Sequence, residues 1–433
     1  MPASRVHSPA EAAARIGTTD SLAIGLGPAH PIKFLHAMGE RDDWVDLKLF
    51  GALLTDLYTV FTRDGVHYRS GFYGPAERFL RDSGADIAFV PADFRRFGPV
   101  IEALAPHIMA TAVAPPDDDG YLSLSLHAGA TVDELHRCGA DPGRILIAEY
   151  SESFPRTFGV EPDHPHRLHV DEVDILVESD AEPVDLAESA GTDVDLAIAE
   201  EARRYIPDGA TLQTGIGAIP SIIAGLLAEG TGGGYGVHSE MFTTGLMRLH
   251  EAGKVTNTNK GKYEGFSVTT FAAGTPELYR WLDGNAAVRF LPVDVVNSAR
   301  DIADNRRFVS INGATAVDLW GQVAADTIDG KQHSGVGGHE DFLAGAGLQL
   351  EDRSLLCLRS STVRDNGRAS RIVANLAPQM LVTTPRHQVD VVITEHGAAE
   401  LQGLSVAERA RALVAIAHPD FRAELEAAAA QMT

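Results

Sequence analysis

The chain has 433 residues, which exceeds the size at which one hydrophobic core usually suffices, so two domains are expected. Its formal net charge of -24 disfavours nucleic acid and anionic membranes as partners, and any site for an anionic small molecule must be assembled locally. No apolar run is long enough to span a bilayer, and Met1–Asp20 lacks the layout of a signal peptide. The cysteines, Cys138 and Cys357, lie far apart, which argues against a disulfide framework or a zinc site. We therefore expect a cytoplasmic protein without a metal centre.

Short β-rich runs alternate with helical stretches along the chain, a pattern that is typical of α/β folds. Ser21–Ile24 is predicted to be a strand, and a helix is predicted over Ile32–Met38. The acidic segment Ser179–Asp195 is interpreted as a linker, and Val194–Tyr205 as the helix that opens a second unit. The pattern therefore predicts an α/β fold in two units.

The two halves of the chain resemble each other, which predicts an internal duplication. Three pairs of segments match in the same order, at offsets of 190, 192 and 201 residues: Gly25–Gly27 with Gly215–Gly217, Val45–Phe50 with Val237–Phe242, and Phe72–Asp93 with Phe271–Asp294. In this alignment Lys48 takes the place of Glu240, so only the second half carries that carboxylate. We predict an N-terminal domain over residues 1–185 and a C-terminal domain over residues 186–433.

The segment Gly236–Met241 places one carboxylate, Glu240, among mostly apolar neighbours, directly after a glycine-rich run. If the segment is a strand, His238 and Glu240 share one face. A poorly hydrated carboxylate becomes a usable nucleophile when an acyl group is delivered to it. A solvent-facing glutamate on an edge strand is the alternative interpretation of this segment taken alone.

Two glycine loops could approach a ligand closely. Gln213–Pro220 reads as a strand, a glycine turn and a helix start, which favours phosphate, although a tight βα turn is an equally good interpretation. Ser334–Phe342 could present consecutive N–H groups as an anion nest or an oxyanion hole, or be a surface loop. The apolar Val336 and Phe342 favour the first interpretation, because such side chains tend to be buried.

Several segments together resemble the acetyl-CoA hydrolase/transferase family. They are GIGAIP at 215–220, GVHSEM at 236–241, FVSINGATAVDLWGQV at 308–323, GVGGHEDF at 335–342, TEHGAAELQGLS at 394–405, AHPDFRAEL at 417–425, APPDDDGYLSLS at 114–125 and FPRTFG at 154–159. The resemblance covers nearly the whole chain and is strongest after residue 205. It implies two duplicated α/β domains of the CoA-transferase type.

The resemblance also implies roles for individual residues. Glu240 would be the catalytic glutamate and Gly338 the oxyanion-hole glycine. Asn297 and Glu395 would orient the glutamate, with Asn312 as a rival to Asn297. The residues implied to contact CoA are Gly215, Ile216, Gly217, Ala218, Ile219, Ser334, Gly337 and Gly338. The sequence departs from the family pattern at His339 and Gly313, which leaves the acyl specificity open.

The activity that the resemblance implies is transfer of CoA between a short-chain acyl-CoA and a carboxylate, through a glutamyl-CoA thioester. Acetyl-CoA with butyrate, 4-hydroxybutyrate or succinate would be examples. CoA and acyl-CoA would be substrates, with no tightly bound cofactor, and the protein would be a homodimer. Two alternatives stay open: an acyl-CoA hydrolase, and an acyl-CoA-binding protein without catalysis.

Overall fold

The computed structural model of the protein describes residues 6–127, 129–188, 190–365 and 367–432. The described residues leave out Met1–Arg5 and Ser189. Met1–Arg5 belongs to the segment that lacks the layout of a signal peptide, and Ser189 belongs to the predicted linker. In the part of the chain that is described, no helix combines the length and the apolar character needed to cross a bilayer.

The strands, in chain order, are β1 (Val6–His7), β2 (Ser21–Ile24), β3 (Leu47–Gly51), β4 (Val66–Ser70), β5 (Ile87–Phe89), β6 (Ile108–Val113), β7 (Tyr121–Ser123), β8 (Ile145–Tyr150), β9 (Arg167–His169), β10 (Ile175–Glu178), β11 (Thr211–Thr214), β12 (Gly236–Val237), β13 (Met241–Phe242), β14 (Ser267–Thr269), β15 (Phe271–Ala272), β16 (Val288–Phe290), β17 (Phe308–Gly313), β18 (Ala316–Asp318), β19 (Val323–Ala324), β20 (Thr327–Ile328), β21 (Lys331–Gln332), β22 (Arg353–Cys357), β23 (Ser361–Arg364), β24 (Gly367–Ser370), β25 (Ile372–Val373), β26 (Val391–Thr394) and β27 (Gly397–Glu400). The α-helices are α1 (Pro9–Ala13), α2 (Ile32–Gly39), α3 (Pro75–Asp82), α4 (Phe97–Leu104), α5 (Val132–Ala140), α6 (Asp193–Arg203), α7 (Ala218–Glu229), α8 (Thr244–Glu251), α9 (Pro276–Leu282), α10 (Val293–Val296), α11 (Ala299–Ala303), α12 (His339–Gly345), α13 (Val406–Ala415) and α14 (Pro419–Ala429). Short 3-10 helices lie at Gly27–Ala29, Thr59–Thr62, Phe94–Arg96 and Val170–Glu172.

The chain divides into two compact units. The first comprises Met1–Leu186 and Val268–Val296, and the second comprises Ala187–Ser267 and Asn297–Thr433. The division differs from the predicted domains, 1–185 and 186–433, at Leu186 and over the segment Val268–Val296, both of which belong with the first unit. The predicted boundary itself stays a prediction.

The first unit is built on an eight-stranded sheet in the order β1-β10-β8-β6-β2-β3-β4-β5, in which all neighbouring strands are parallel. All six residues of the central strand β6 are buried, as expected for a parallel strand that is covered on both faces. Helix α2 packs Phe34, Leu35 and Met38 into the core of this unit.

The second unit is built on a six-stranded sheet in the order β12-β11-β17-β22-β26-β27. Its strands are parallel except for the edge pair β26 and β27. Leu356 and Val392 from the sheet and Leu413 and Val414 from α13 lie in one buried apolar cluster. Glu240 follows β12, the outermost strand at the other edge.

Five strands follow the same order in both sheets: β3-β2-β6-β8-β10 in the first and β12-β11-β17-β22-β26 in the second. This shared order supports the predicted duplication. The equivalence of Lys48 with Glu240 is wrong, however. Ser21 pairs with Lys48, whereas its counterpart Thr211 pairs with Gly236, because the second connection is two residues shorter. Lys48 therefore corresponds to Gly236.

Helix α6 begins one residue before the helix predicted over Val194–Tyr205. The described residues between the end of β10 and Thr192 form no helix or strand. Helix α6 begins at Asp193, because the Thr192 side chain accepts a hydrogen bond from the amide of Asp195. The last residues of the segment predicted as a linker therefore lie in the first turn of α6.

Candidate functional site

The segment that carries Glu240 leaves the sheet earlier than expected. Strand β12 ends at Val237, and Glu240 lies in a bend before β13. The expectation that His238 and Glu240 share a strand face is therefore wrong. His238 is completely buried, and its ring lies edge-on to Phe308 at a centroid distance of 6.1 Å. Glu240 lies beyond the carboxyl end of a parallel strand, where α/β sheets commonly bind ligands.

A buried amide connects Glu240 to a second carboxylate. Asn297 Nδ2 donates to Glu240 Oε2 at 2.7 Å and to Asp341 Oδ2 at 2.9 Å. Asn297 and Asp341 are both completely buried. The rival residue Asn312 instead donates from Nδ2 to Gln213 Oε1 at 3.2 Å. Asn297 therefore hydrogen-bonds Glu240, whereas Asn312 hydrogen-bonds Gln213.

The surroundings of Glu240 disfavour its ionised form. Burial raises the pKa of Glu240 to about 8, and the nearby charge of Asp341 acts in the same direction. The hydrogen bond from Asn297 lowers the pKa and offsets part of this effect. Once it has lost its proton, the carboxylate is poorly hydrated, although part of the residue remains accessible to solvent. Such a group is suited to attack a carbonyl carbon.

Gly338 lies directly against the Glu240 carboxyl group. It is the N-cap of α12, and its φ of -89° would suit any residue. A Cβ atom at this position, however, would lie 2.9 Å from Glu240 Cδ and 2.6 Å from Asn297 Nδ2, and closer still to Glu240 Oε2. A side chain at residue 338 is therefore excluded by space. At Gly337 the reason is different, because its φ of +55° is a left-handed conformation.

The rest of the 334–342 loop is anchored. Phe342 is buried and stacks on Phe308 at a centroid distance of 6.1 Å. The Ser334 hydroxyl donates to the next carbonyl of its own loop at 3.0 Å. His339 Nε2 shares a hydrogen bond with Thr384 Oγ1 at 2.8 Å, and burial lowers the pKa of His339 to about 4. His339 is therefore neutral at physiological pH.

The glycine turn after β11 lies beside the segment of Glu240. Strands β11 and β12 are neighbours and parallel, so their carboxyl ends meet at one edge of the sheet. The Thr214 amide donates to Ser239 Oγ at 3.3 Å, and the Ser239 hydroxyl donates to the Thr214 carbonyl at 3.2 Å. The side chain directly before Glu240 therefore fastens the two segments together.

The turn itself has room around it. Gly217, with a φ of +118°, is the N-cap of α7, whose first residues are Ala218 and Ile219. A Cβ atom at Gly215 or Gly217 would meet no heavy atom of the described residues within 4 Å. The Ile216 side chain is exposed, at 58%. Since no side chain caps α7, its first amides have no side-chain acceptor in the described part of the chain.

The matching turn of the first unit is filled. A Cβ atom at Gly25 would lie 2.6 Å from the Ala29 carbonyl oxygen. At the start of α2 the buried Glu149 carboxylate accepts hydrogen bonds from the amides of Lys33 at 3.1 Å and Phe34 at 2.8 Å. An internal carboxylate thus occupies the anion-binding end of α2, whereas the corresponding end of α7 is uncapped.

Glu395 is hydrogen-bonded to Ser360, and its expected role in orienting Glu240 stays a prediction. Its carboxylate accepts hydrogen bonds from the Ser360 amide at 2.8 Å and the Ser360 hydroxyl at 2.6 Å. It follows β26, four strands away from β12 in the sheet. At about 4.8 Å per strand, this order separates the two strands by roughly 19 Å.

Three residues around the site were missed in the sequence. Asp341 lies in the GVGGHEDF segment, and an acidic residue beside a glycine loop could have indicated it. Asn257 and Lys260 hydrogen-bond the backbone of Val237. Neither belongs to a periodic pattern or a motif, so the sequence offered no signal for them.

Comparison with known proteins gives consistent matches. Residues 274–429 match the model of the acetyl-CoA hydrolase/transferase C-terminal domain. The chain is 35% identical to 4-hydroxybutyrate coenzyme A transferase of Clostridium kluyveri, over 91% of this chain and 92% of that protein. It is 33% identical to succinyl-CoA:cyclohexane-1-carboxylate CoA transferase of Geobacter metallireducens, over 99% and 95%. The crystal structure of RipA from Yersinia pestis superposes with a TM-score of 0.89 at 30% identity, over 99% of this chain and 97% of that chain.

Proposed function

Because the chain belongs to the acetyl-CoA hydrolase/transferase family, we propose that it transfers CoA between a short-chain acyl-CoA and a carboxylic acid through a thioester on Glu240. The observation that carries the proposal is the surroundings of Glu240. A partly accessible, poorly hydrated carboxyl group is held by Asn297, and a glycine that tolerates no side chain lies against it. This arrangement suits a carboxylate that must accept a bulky acyl group and then a thiolate.

The reaction proceeds in two exchanges at Glu240. Its carboxylate attacks the thioester carbonyl of acyl-CoA, the carbon–sulfur bond breaks, and a mixed anhydride and CoA thiolate form. The thiolate then attacks the glutamyl carbonyl, which gives a glutamyl-CoA thioester and releases the first carboxylate. An acceptor carboxylate reverses both steps and leaves as the new acyl-CoA. One thioester replaces another, so the balance requires no further reactant.

Asn297 is suited to assist the second exchange. It donates to Glu240 Oε2, so acylation of the other oxygen makes Oε2 the carbonyl oxygen of the anhydride. When thiolate attacks that carbonyl, negative charge develops on Oε2, where the donor already points. We assign Gly338 to the same task, because a backbone without a side chain can approach the oxyanion. Losing one such donor typically costs about 2.7–4 kcal/mol of transition-state stabilisation.

The turn Gly215–Ile219 and the loop residues Ser334, Gly337 and Gly338 are proposed to bind CoA. The uncapped start of α7 offers free amides and the positive end of the helix dipole, which favour a phosphate. The room around Gly215 and Gly217 supports this assignment, because the matching turn of the first unit is closed by its own chain. A local backbone site also explains how a protein with a net charge of -24 can bind an anion.

We also propose that the enzyme is a homodimer, works in a reducing cytoplasm and contains no tightly bound cofactor. Cys138 and Cys357 are both free and buried, which agrees with a reducing compartment. Light scattering on the purified protein should give the mass of a dimer. Its absorbance spectrum should show the protein band alone.

The experiment incubates purified protein with acetyl-CoA and a panel of carboxylates, including butyrate, 4-hydroxybutyrate and succinate. Formation of new acyl-CoA faster than free CoA would support transfer, and the reverse would indicate a hydrolase.

Glu240→Ala should lower kcat by more than about 100-fold, a loss above ~3 kcal/mol. Glu251→Gln is the matched control, because Glu251 is an exposed acid at the end of α8. Incubation without an acceptor should leave CoA attached to the wild-type protein, detected by intact mass. A Glu240→Ala variant that retains transfer would overturn the proposal.

A further inference from the structure

On its outer side, the segment of β12 is paired by backbone at Tyr235, which forms a parallel bridge with Val255, and is covered by side chains at Val237. β12 is the outermost strand of its sheet. The amides of Gly236 and His238 point toward its neighbour β11 and donate to the carbonyls of Ala210, directly before β11, and Leu212. The amide and carbonyl of Val237, which lies between Gly236 and His238, therefore face away from β11. Asn257 Oδ1 accepts the Val237 N–H at 2.9 Å, and Lys260 Nζ donates to the Val237 carbonyl at 2.8 Å.

Lys260 is buried without a counter-ion. Its side chain is completely buried, and Nζ also donates to the Phe266 carbonyl at 2.8 Å. No carboxylate of the described residues lies within ion-pair distance, and burial lowers the pKa of Lys260 to about 7. A buried ammonium group without an anion is costly, so packing alone does not account for it. Two backbone carbonyls that need a hydrogen-bond donor explain why a lysine is buried here.

The surroundings of Lys260 and Asn257 are shaped to hold them. A Cβ atom at Gly236 would overlap the Lys260 stem, so the glycine leaves the space that the lysine fills. Asn257 has a φ of +57°, a left-handed conformation that asparagine tolerates. Its Nδ2 donates to Ser267 Oγ at 3.1 Å, and His250 Nε2 hydrogen-bonds the same hydroxyl at 2.8 Å. The Asn257 amide group is therefore fixed in orientation.

We propose that Lys260 and Asn257 are positioning residues that set Glu240 by fixing the backbone of Val237, three residues before it. The proposal rests on the proposed function, because it concerns the placement of the same nucleophile. Ser239 fastens the segment to the turn after β11 on the inner side, and the pair fastens it on the outer side. The Glu240 carboxyl group can then meet Asn297 and Gly338 in a constant geometry. A displacement of about 1 Å at a reacting group can cost about 100-fold in rate.

The test compares two lysines with the same chemistry. Lys260→Met keeps the length of the stem and removes the donor. Lys254→Met is the matched control, because Lys254 Nζ also donates to two backbone carbonyls, those of Gly230 at 2.6 Å and Gly232 at 3.0 Å. Lys260→Met should lower kcat by about 10-fold to 100-fold while KM for acyl-CoA changes little, because the turn proposed to bind CoA lies on another strand. Lys254→Met should leave kcat unchanged.

Hydrogen exchange provides a readout that does not depend on activity. The peptide over residues 236–242 should exchange faster in Lys260→Met than in wild type or in Lys254→Met. Asn257→Gly, which keeps the left-handed conformation but loses the acceptor, should have the same local effect. If Lys260→Met does not fold, the Asn257→Gly variant is used for the test instead.

The outcomes separate the two proposals. If wild type transfers no CoA, the proposed function fails, and the exchange experiment alone decides whether the pair holds the segment. Unchanged exchange over residues 236–242 would overturn the positioning proposal. So would a wild-type kcat in Lys260→Met, or an equal loss of kcat in Lys254→Met.

Discussion

The carboxyl group of Glu240 is subject to opposing influences from its neighbours. Burial, the largest effect, and the charge of Asp341 raise its pKa, whereas the hydrogen bond from Asn297 lowers it. The result, a pKa of about 8, means that the residue changes charge within the pH range in which enzymes are usually assayed. Its charge state should therefore be visible in the kinetics.

The first prediction concerns the pH dependence of acylation. Only the ionised carboxylate attacks, so the rate of adduct formation should increase as pH rises through about 8. Asp341→Asn should move the midpoint to lower pH, because a like charge is removed. Asn297→Ala should move it to higher pH, because the stabilising donor is lost. Rapid-quench mass spectrometry across pH gives the profiles. Shifts in the same direction would contradict this account.

The second prediction concerns stability. The pKa of Glu240 is higher in the folded protein than the ordinary value of 4.5, so the stability that this group contributes is complete below pH 4.5 and is lost as pH rises through about 8. Glu240→Gln removes the penalty of burying the charge and should stabilise the protein by about 1–2 kcal/mol above pH 8. The gain should vanish near pH 5. Urea unfolding at the two pH values measures it, and an equal gain at both would refute the assignment.

The third prediction concerns the space at Gly338. The methyl group of Gly338→Ala would overlap Glu240, so kcat should fall by about 100-fold or more. Gly225→Ala is the control, because Gly225 of α7 has no described heavy atom within 4 Å of its added Cβ. That variant should keep kcat and be stabilised by about 0.5–1 kcal/mol, as alanine is favoured over glycine within a helix. Equal losses in the two variants would show that crowding at Glu240 is not the cause.

At the scale of elements, the two matching helices differ in what occupies their N-terminus. The Glu149 carboxylate occupies the start of α2, whereas α7 starts without a capping side chain. The N-terminus of α2 therefore already binds an anionic side chain of its own unit. The N-terminus of α7 can accept an anion from solution.

The fourth prediction follows from the α2 contact. Glu149→Ala should destabilise the protein by about 1.5–3 kcal/mol, because one buried and one partly buried amide lose a charged acceptor. Activity per folded molecule should persist, because Glu149 belongs to the first unit and α7 is left intact. Urea unfolding and a rate normalised to folded protein measure the two effects. Glu178→Ala, at an exposed residue of the neighbouring strand β10, should change neither.

Several elements could be predicted from the sequence, because their patterns are local. The strand Ser21–Ile24 has the predicted bounds, and α2 contains the predicted helix Ile32–Met38. The length of β12 could not be predicted, since the end of a strand depends on what pairs with it. The place of β26, which Glu395 follows, four strands away from β12 was not predictable either, because strand order does not follow from a local pattern. Asp341 and Lys260 are recognisable only after the chain has folded around them.

At the scale of the whole molecule, charge gives the fifth prediction. A net charge of -24 repels the multiply charged CoA more than a singly charged carboxylate. Raising the ionic strength from about 0.01 M to about 0.1 M shortens the Debye length from about 30 Å to about 10 Å and screens this repulsion. KM for acetyl-CoA should therefore fall, and KM for the acceptor should change less. A rise in KM for acetyl-CoA with salt would instead indicate attraction by local basic groups.

At this scale, the order of segments along the sequence does not show which unit each segment joins. The matching segments Phe72–Asp93 and Phe271–Asp294 were expected in different halves, yet Val268–Val296 belongs to the first unit. Sequence similarity predicts that the two segments are equivalent, but it contains no information on which core each joins. Membership of a core depends on long-range packing.

The covering of β12 also has a consequence for self-association. An open edge strand is a template on which a second molecule can add a strand, and proteins aggregate by this route. Val237 presents the outward backbone groups of β12, and both are already occupied by Asn257 and Lys260. An incoming strand would have to displace a buried ammonium group before its first hydrogen bond could form. Because Val237, Asn257 and Lys260 are all buried, this edge is closed to a second chain while the unit is folded.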